Sequence, residues 1–441
     1  SIALVPQELN HLILATNNGS IYTLSNYKDF FIFASELKII KSIFKKIKHK
    51  IPRLIIKKIE SNTGLIIDYE EFSIEDFQCK DKIESPIKIK SRNHHKVVNS
   101  FSVKSNVEQK EIVSDLNVIH LNLNAINEKS HLEYDLDKVD HIERCTKCIL
   151  PVTFPFIYFD STGVCNYCNN YNKKTIDNSL TSLSELVEKY RKFNSPDVLI
   201  PLSGGRDSIY TLHLVKEELK MNPISYTYDW GMVTDLARRN IARISGELGI
   251  ENIIIAADIH RKRDNIKKNI LAWLKNPTLG MIPIFMAGDK YFYYYAYKVK
   301  NDLDIDLEVW GINNLENTNF KTGFCGIKPR YKKKWNYSLS IGDQFQLAYF
   351  FGYNYLMSPG YFNNSLLDTI GSFFSRYLTP KANHIQIFDY YKWNEKEVEN
   401  TIINRYGWEQ CVDTKSTWRI GDGTASFYNY IYCSVAGFTE N

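Results

Sequence analysis

From about residue 197 onward, apolar positions alternate between two rhythms, one of strand length and one of helix length. The run Asp197-Val198-Leu199-Ile200-Pro201-Leu202 is too short for a helix. After two glycines it gives way to a helical pattern, Ile209-Tyr210-Thr211-Leu212-His213-Leu214-Val215. Alternation from Ile224 to Tyr228 predicts a strand, Thr234 to Leu248 a helix, and Asn252 to Ala256 another strand; a further helix begins near Arg261, and Leu307-Glu308-Val309-Trp310 reads as a strand. Strands separated by helices of about ten to fifteen residues predict an α/β fold with a doubly wound parallel sheet. Such sheets bind ligands beyond the carboxyl ends of their strands, here Ser203, the region of Tyr228 and Asp229, and Gly311 onward.

The first 78 residues follow a different pattern. Ile13 to Leu24 followed by Phe30 to Lys38 is expected to form a hairpin leading into a helix. Between Lys38 and Lys58, isoleucines and Phe44 alternate with lysines. A helix with a buried stripe and a solvated face accounts for this better than a membrane-surface helix, and Pro52 interrupts it. Residues 79–140 are polar and weakly periodic, as expected of a linker, and His94-His95 within it is assigned no metal.

Composition narrows the function classes. Over 441 residues the formal charge is +5, spread along the chain, which argues against a nucleic-acid footprint. No apolar run reaches the roughly 18 to 20 residues needed to span a bilayer, and the first residues carry no secretion pattern, so a reducing cytoplasm is expected. Of eight cysteines, four form two closely spaced pairs, Cys145-Thr146-Lys147-Cys148 and Cys165-Asn166-Tyr167-Cys168, joined by a segment with a turn at Asp160-Ser161-Thr162-Gly163. Two C-x-x-C turns folded together make a tetrahedral four-sulfur site suited to structural Zn²⁺; an iron–sulfur cluster and two disulfides are the alternatives. This defines a zinc module over residues 141–175, ahead of the α/β domain at 176–441.

The most informative residues are Ser203-Gly204-Gly205-Arg206-Asp207-Ser208. A strand turning through paired glycines into a helix N-terminus places free N–H groups and the positive end of the helix dipole at one point, an anion site. Ser203 and Ser208 add hydroxyl donors and Asp207 a carboxylate able to hold Mg²⁺, while Arg206 is read as solvated or packing. No Walker sequence is present. The hexapeptide resembles the pyrophosphate (PP) loop of the ATP pyrophosphatase superfamily. That resemblance implies cleavage of ATP to AMP and pyrophosphate, with Ser203, Gly204, Gly205 and Ser208 on the pyrophosphate and Asp207 on Mg²⁺.

From Cys145 onward the chain resembles the N-acetyl sugar amidotransferases. The matching blocks are the cysteine-paired opening, the loop, Gly280 to Asp289, Gly311 to Gly323, and Ser416 to Gly423 with Phe427 to Tyr432 and Gly437-Phe438-Thr439. The N-terminal residues resemble the distal half of the class II glutaminase domain of asparagine synthetases, through Phe33-Ala34-Ser35-Glu36-Leu37-Lys38, although Thr16-Asn17-Asn18 stands where that family has Arg-Asp. A serine at a free N-terminus has the chemistry of an Ntn nucleophile. The downstream spacing, however, places Ser1 inside the domain, so residues 1–78 are expected to be a partial glutaminase-like domain whose catalytic half lies on a missing N-terminal segment or another chain, or a degenerate domain that only packs.

The resemblance implies an AMP-forming amidotransferase that adenylylates an acceptor carbonyl and transfers ammonia to it, converting an N-acetyl sugar or nucleotide-sugar to an acetamidino product. An asparagine-synthetase-like ligase is the alternative. A tRNA thiolation enzyme fits less well, because Cys325, Cys411 and Cys433 stand singly. ATP, Mg²⁺ and structural Zn²⁺ are the expected cofactors, a glutaminase partner or missing segment the expected ammonia source, and a homo-oligomer is compatible with the chain. Lys321 and Glu316 are the candidates for acceptor activation, with a surface ion pair as the alternative. Arg419 and Asp422 are read either as acceptor-binding or as a structural pair. The tyrosine-rich run Tyr291 to Tyr297 is read as packing and the basic run Lys328 to Trp335 as solvated.

Overall fold

The computed structural model describes residues 1–6, 9–17, 19–79, 139–171, 180–193, 195–313, 320–329, 339–380, 383–411, 416–418 and 420–439. Glu316, Arg419, His94-His95, most of the expected linker and most of the basic run after Lys328 lie outside the described residues.

The N-terminal residues form two antiparallel sheets. Strands β1 (Ile2–Leu4), β2 (His11–Thr16), β6 (Thr63–Asp68) and β7 (Ser73–Gln78) make one, in the order β1-β2-β6-β7; β3 (Tyr22–Ser25), flanked by β4 (Phe31–Ala34) and β5 (Ile55–Lys58), makes the other. The expected hairpin forms between β3 and β4, Tyr22 to Ser25 pairing antiparallel with Phe31 to Ala34. The first part of the run, β2, belongs to the other sheet, the chain crossing between the sheets at Gly19, which takes φ +69°. Leu14, Ile21, Ile59, Leu65 and Ile67 fill a small core there. The helix Leu37–Ile47 follows as expected, burying Leu37 and Ile40, and ends before Pro52. Two of its lysines are committed within the fold: Lys38 pairs with Asp302 at 2.7 Å and Lys41 donates to the Leu303 carbonyl at 2.7 Å. At the same junction the Leu37 N–H reaches the buried Glu251 carboxylate at 3.3 Å, and Lys58 donates to the Gly249 carbonyl at 3.2 Å.

The main sheet has five strands, β8 (Val198–Pro201), β9 (Pro223–Asp229), β10 (Asn252–Ala256), β11 (Leu307–Trp310) and β12 (His384–Gln386), in the order β10-β9-β8-β11-β12, every pairing parallel. The chain winds outward from β8 to one edge and returns to wind to the other, so the topological switch lies between β8 and β11. This is the doubly wound sheet predicted from periodicity. In β8, burial on both faces makes the strand apolar without alternation: Leu199 packs into one helical layer, Val198 and Ile200 into the other. The helices Arg206–His213, Asp235–Glu247 and Ile259–Trp273 carry the crossovers. The tyrosine-rich helix Tyr291–Asp302 packs aromatically, Tyr295 stacking on Tyr228 and Tyr293 on Trp310. No helix among the described residues is long and apolar enough to cross a membrane.

Candidate functional site

Ser203 leaves the carboxyl end of the central strand β8, and the loop enters the helix Arg206–His213 with Gly205 as its N-cap residue and no side-chain cap. An uncapped helix start leaves N–H groups directed at the loop. Gly204 takes φ +80°, and a Cβ there would stand 2.6 Å from the Ala237 carbonyl oxygen, so the turn requires glycine. The Ser203 and Ser208 hydroxyls lie 3.0 Å apart, Ser208 also donating to the Gly205 carbonyl at 2.9 Å, so two hydroxyls and the helix N-terminus converge on one spot. This donor set fits a phosphate group.

Asp207 is buried. Its Oδ1 accepts from Trp393 Nε1 at 2.9 Å and lies 3.4 Å from Arg206 Nε. Burial raises its pKa against the opposing pull of Trp393, Arg206 and Asn313. A carboxylate offers about four lone-pair sites, so Mg²⁺ coordination by Asp207 would share the group with these donors or displace one. Arg206 is not solvated. Only 3% exposed, its guanidinium lies 3.8 Å from the Trp418 ring centroid and 4.8 Å from that of Trp393, and its Nη1 donates to Glu395 and Thr417, each at 2.7 Å.

The C-terminal block forms a second wall. The Gly421 position is so close to the loop that a Cβ would meet the Ser203 carbonyl oxygen at 2.9 Å, and Trp408 Nε1 donates to the Gly204 carbonyl at 3.1 Å. Thr234 donates to the Ile420 carbonyl at 2.7 Å, which ties this block to the turn after β9. Asp422 accepts from the Thr424 N–H and hydroxyl at 2.9 and 2.7 Å. Beyond the turn lies a cavity of about 540 Å³ with an apolar floor including Met232, Ile266 and Ile270 and with Arg238, Arg263 and Lys267 among its lining. Arg238 is held by Asp229, at the end of β9, at 2.7 Å.

Lys321 lies on the short helix Phe320–Gly323, its ammonium 5.3 Å from the Tyr428 ring centroid. Its expected partner Glu316 is outside the described residues; the carboxylate that senses Lys321 is Asp289, whose Oδ2 also receives Lys290 at 2.8 Å. Burial raises the Asp289 pKa, Lys290 and Lys321 oppose it, and Asp422 adds to it. Asp289 is thus in contact with Lys290 and within electrostatic reach of Lys321 and Asp422.

The four cysteines meet as the spacing predicts. Their sulfurs all lie within 4.8 Å of one another, with Cys145 to Cys168 at 3.9 Å and Cys148 to Cys165 at 3.6 Å. Sulfurs about 2.3 Å from a tetrahedral zinc are separated by about 3.8 Å, so the set fits Zn²⁺. The four sulfurs form one cluster and none is joined in a disulfide in this structure. Burial opposes ionisation of Cys145, but the N–H groups of Cys148, Cys165 and Lys147 outweigh it and hold the thiol at about 6; burial pushes Cys148 and Cys168 up. The turn at Asp160 to Gly163 forms, its Asp160 carboxylate accepting from the N–H groups of Thr162 and Val164. The module docks through Phe154, which packs against Phe320 and Phe438, so it braces the helix that carries Lys321.

No family model and no curated protein matches the chain. Among solved structures, it is similar to the NH3-dependent NAD synthetase from Campylobacter jejuni subsp. jejuni NCTC 11168, at 17% identity over 44% of this chain and 93% of that one, with a TM-score of 0.24. It is also similar to the NMN synthetase from Francisella tularensis, at 13% identity over 52% of this chain and 94% of that one, with a TM-score of 0.23. Scores this low decide nothing about function, and the fold assignment rests on the strand order.

Sequence reasoning missed Trp393 and Trp408. Neither sits in a motif; each reaches the loop from some two hundred residues away, a contact that periodicity cannot reveal.

Proposed function

We propose that the chain is an ATP-dependent, AMP- and pyrophosphate-forming amidotransferase. The observation carrying this is the loop Ser203 to Ser208, with paired serine hydroxyls and an uncapped helix start at the carboxyl end of the central parallel strand, beside the switch point. The carbonyl oxygen of an acceptor attacks the α-phosphorus of ATP, pyrophosphate departs onto the loop, and ammonia displaces AMP from the O-adenylyl acceptor. Ser203, Gly204, Gly205 and Ser208 hold the leaving pyrophosphate and stabilise the charge that develops on it. Mg²⁺, held through Asp207, would neutralise phosphate oxygens. The cavity past β9, with its apolar floor and cationic side chains, suits a nucleoside and its phosphates. Lys321 polarises the acceptor oxygen, and Asp289, the carboxylate grouped with it, receives a proton from the attacking ammonia.

The acceptor is proposed to be an N-acetyl sugar, free or nucleotide-linked, which would become an acetamidino sugar; ammonia would come from a glutaminase, on a partner or on a segment preceding Ser1. A carboxylate-to-amide ligase uses the same steps on a different acceptor. The test incubates the protein with ATP, Mg²⁺, ammonium and a panel of nucleotide-linked N-acetyl sugars, amino acids and carboxylates, followed by phosphorus NMR and mass spectrometry. A sugar product about one mass unit lighter, formed with AMP and pyrophosphate, is expected; Asp207→Ala lowers its rate by about 100-fold with zinc content unchanged. Turnover of carboxylates alone would favour the amide ligase, and release of ADP and phosphate would overturn the proposal.

A further inference from the structure

The segment from Ile341 to Leu378, between β11 and β12, turns its apolar side outward. In the helix Ile341–Met357 the residues Ile341, Phe345, Tyr349, Tyr353 and Leu356 recur at helical spacing and are 52–76% exposed. In the helix Ser365–Leu378, Leu367, Ile370, Phe374 and Leu378 form a second exposed stripe. The helices meet where Tyr355 reaches Thr369, and Phe362, itself exposed, packs edge-on against Tyr355 between them. No charged residue of the segment is exposed among those described: Asp343 closes the capping box with Ser340, Asp368 is buried against Lys262, and Arg376 is partly buried.

We infer that this face is the interface of a homodimer, the two copies packing their Ile341–Met357 helices across a two-fold axis. Area, charge and backbone access support a second copy. Twelve large apolar side chains, 45–76% exposed and each of roughly 150–250 Å², amount to on the order of 1,400 Å² per protomer, against about 800 Å² per partner in a stable interface. A charge-free patch is complementary to itself, as a two-fold contact requires. Among the described residues of the segment no basic side chain is exposed, unlike the cationic faces by which surface helices bind anionic membranes. Gly352 gives the third argument. Glycine weakens a helix interior, yet a Cβ at Gly352 would meet nothing within 4 Å in its own chain. The exposed notch beside Tyr349 and Tyr353 lets a partner helix approach the backbone.

The inference is independent of the proposed reaction. Sedimentation of the full chain between about 0.1 and 50 μM is expected to show a dimer with a dissociation constant below about 1 μM. The double variant Phe345→Glu/Tyr349→Glu and the single variant Gly352→Leu should each raise that constant at least about tenfold while circular dichroism is unchanged. Gly352→Leu improves helix propensity and enters open space, so it decides the matter should the double variant misfold. A wild-type monomer at 50 μM, a dimer untouched by Gly352→Leu, or a monomer that floats with phosphatidylcholine vesicles would each overturn the inference.

Discussion

At the scale of single residues, the loop is held by contacts that leave little freedom. Gly204 combines a left-handed backbone with a Cβ direction blocked by the Ala237 carbonyl, and these constraints act together. Gly204→Ala is therefore expected to lower stability by roughly 1–3 kcal/mol, read as a lower urea midpoint, and to reduce pyrophosphate release more than the stability loss explains. The strand–loop–helix turn from Ser203 to Ser208 was legible in the sequence because contiguous residues encode it. Arg206 was not. Its position next to Asp207 left open whether it faced water, and only the fold shows Trp393, Trp418 and Glu395 enclosing it.

At the scale of elements, the strands and crossover helices followed from periodicity nearly to the residue, with the helix expected over 234–248 found at Asp235–Glu247. The three-residue strand β12 was invisible, being too short to carry a period. The N-terminal hairpin was legible as Tyr22–Ser25 against Phe31–Ala34, but the passage into a second sheet at Gly19 was not, because apolar runs separated by a glycine turn look alike whether they pair or part. The cysteine module is the element whose removal tests its bracing role. Cys148→Ser should lose zinc in an elemental assay, and because Phe154 then loosens against Phe320, it should expose the Lys321 helix to faster hydrogen exchange.

At the scale of the whole molecule, the N-terminal unit is joined to the sheet domain through a carboxylate that prefers its proton. Burial raises Glu251 to about 7 against partial compensation from Tyr22, the Leu37 N–H and Lys58. A carboxyl raised on folding contributes stability that is full below its unfolded value, near 4.5, and is lost as pH rises through about 7. The shift corresponds to on the order of 3 kcal/mol. The urea midpoint should therefore fall between pH 5 and pH 8, and Glu251→Gln should flatten that fall. The contacts that close the loop have another consequence, for how the molecule comes into being. Trp408 stands 204 residues after the glycine it caps. At about 5–20 residues per second, a ribosome needs about 10 to 40 s to make that stretch, and Gly421 follows later still. Until then the nascent chain carries the loop Ser203 to Ser208 without its second wall, so on the proposed reaction a polypeptide ending before Trp408 should release no pyrophosphate from ATP. The order of synthesis thus leaves the loop enclosed only in chains translated at least through Gly421.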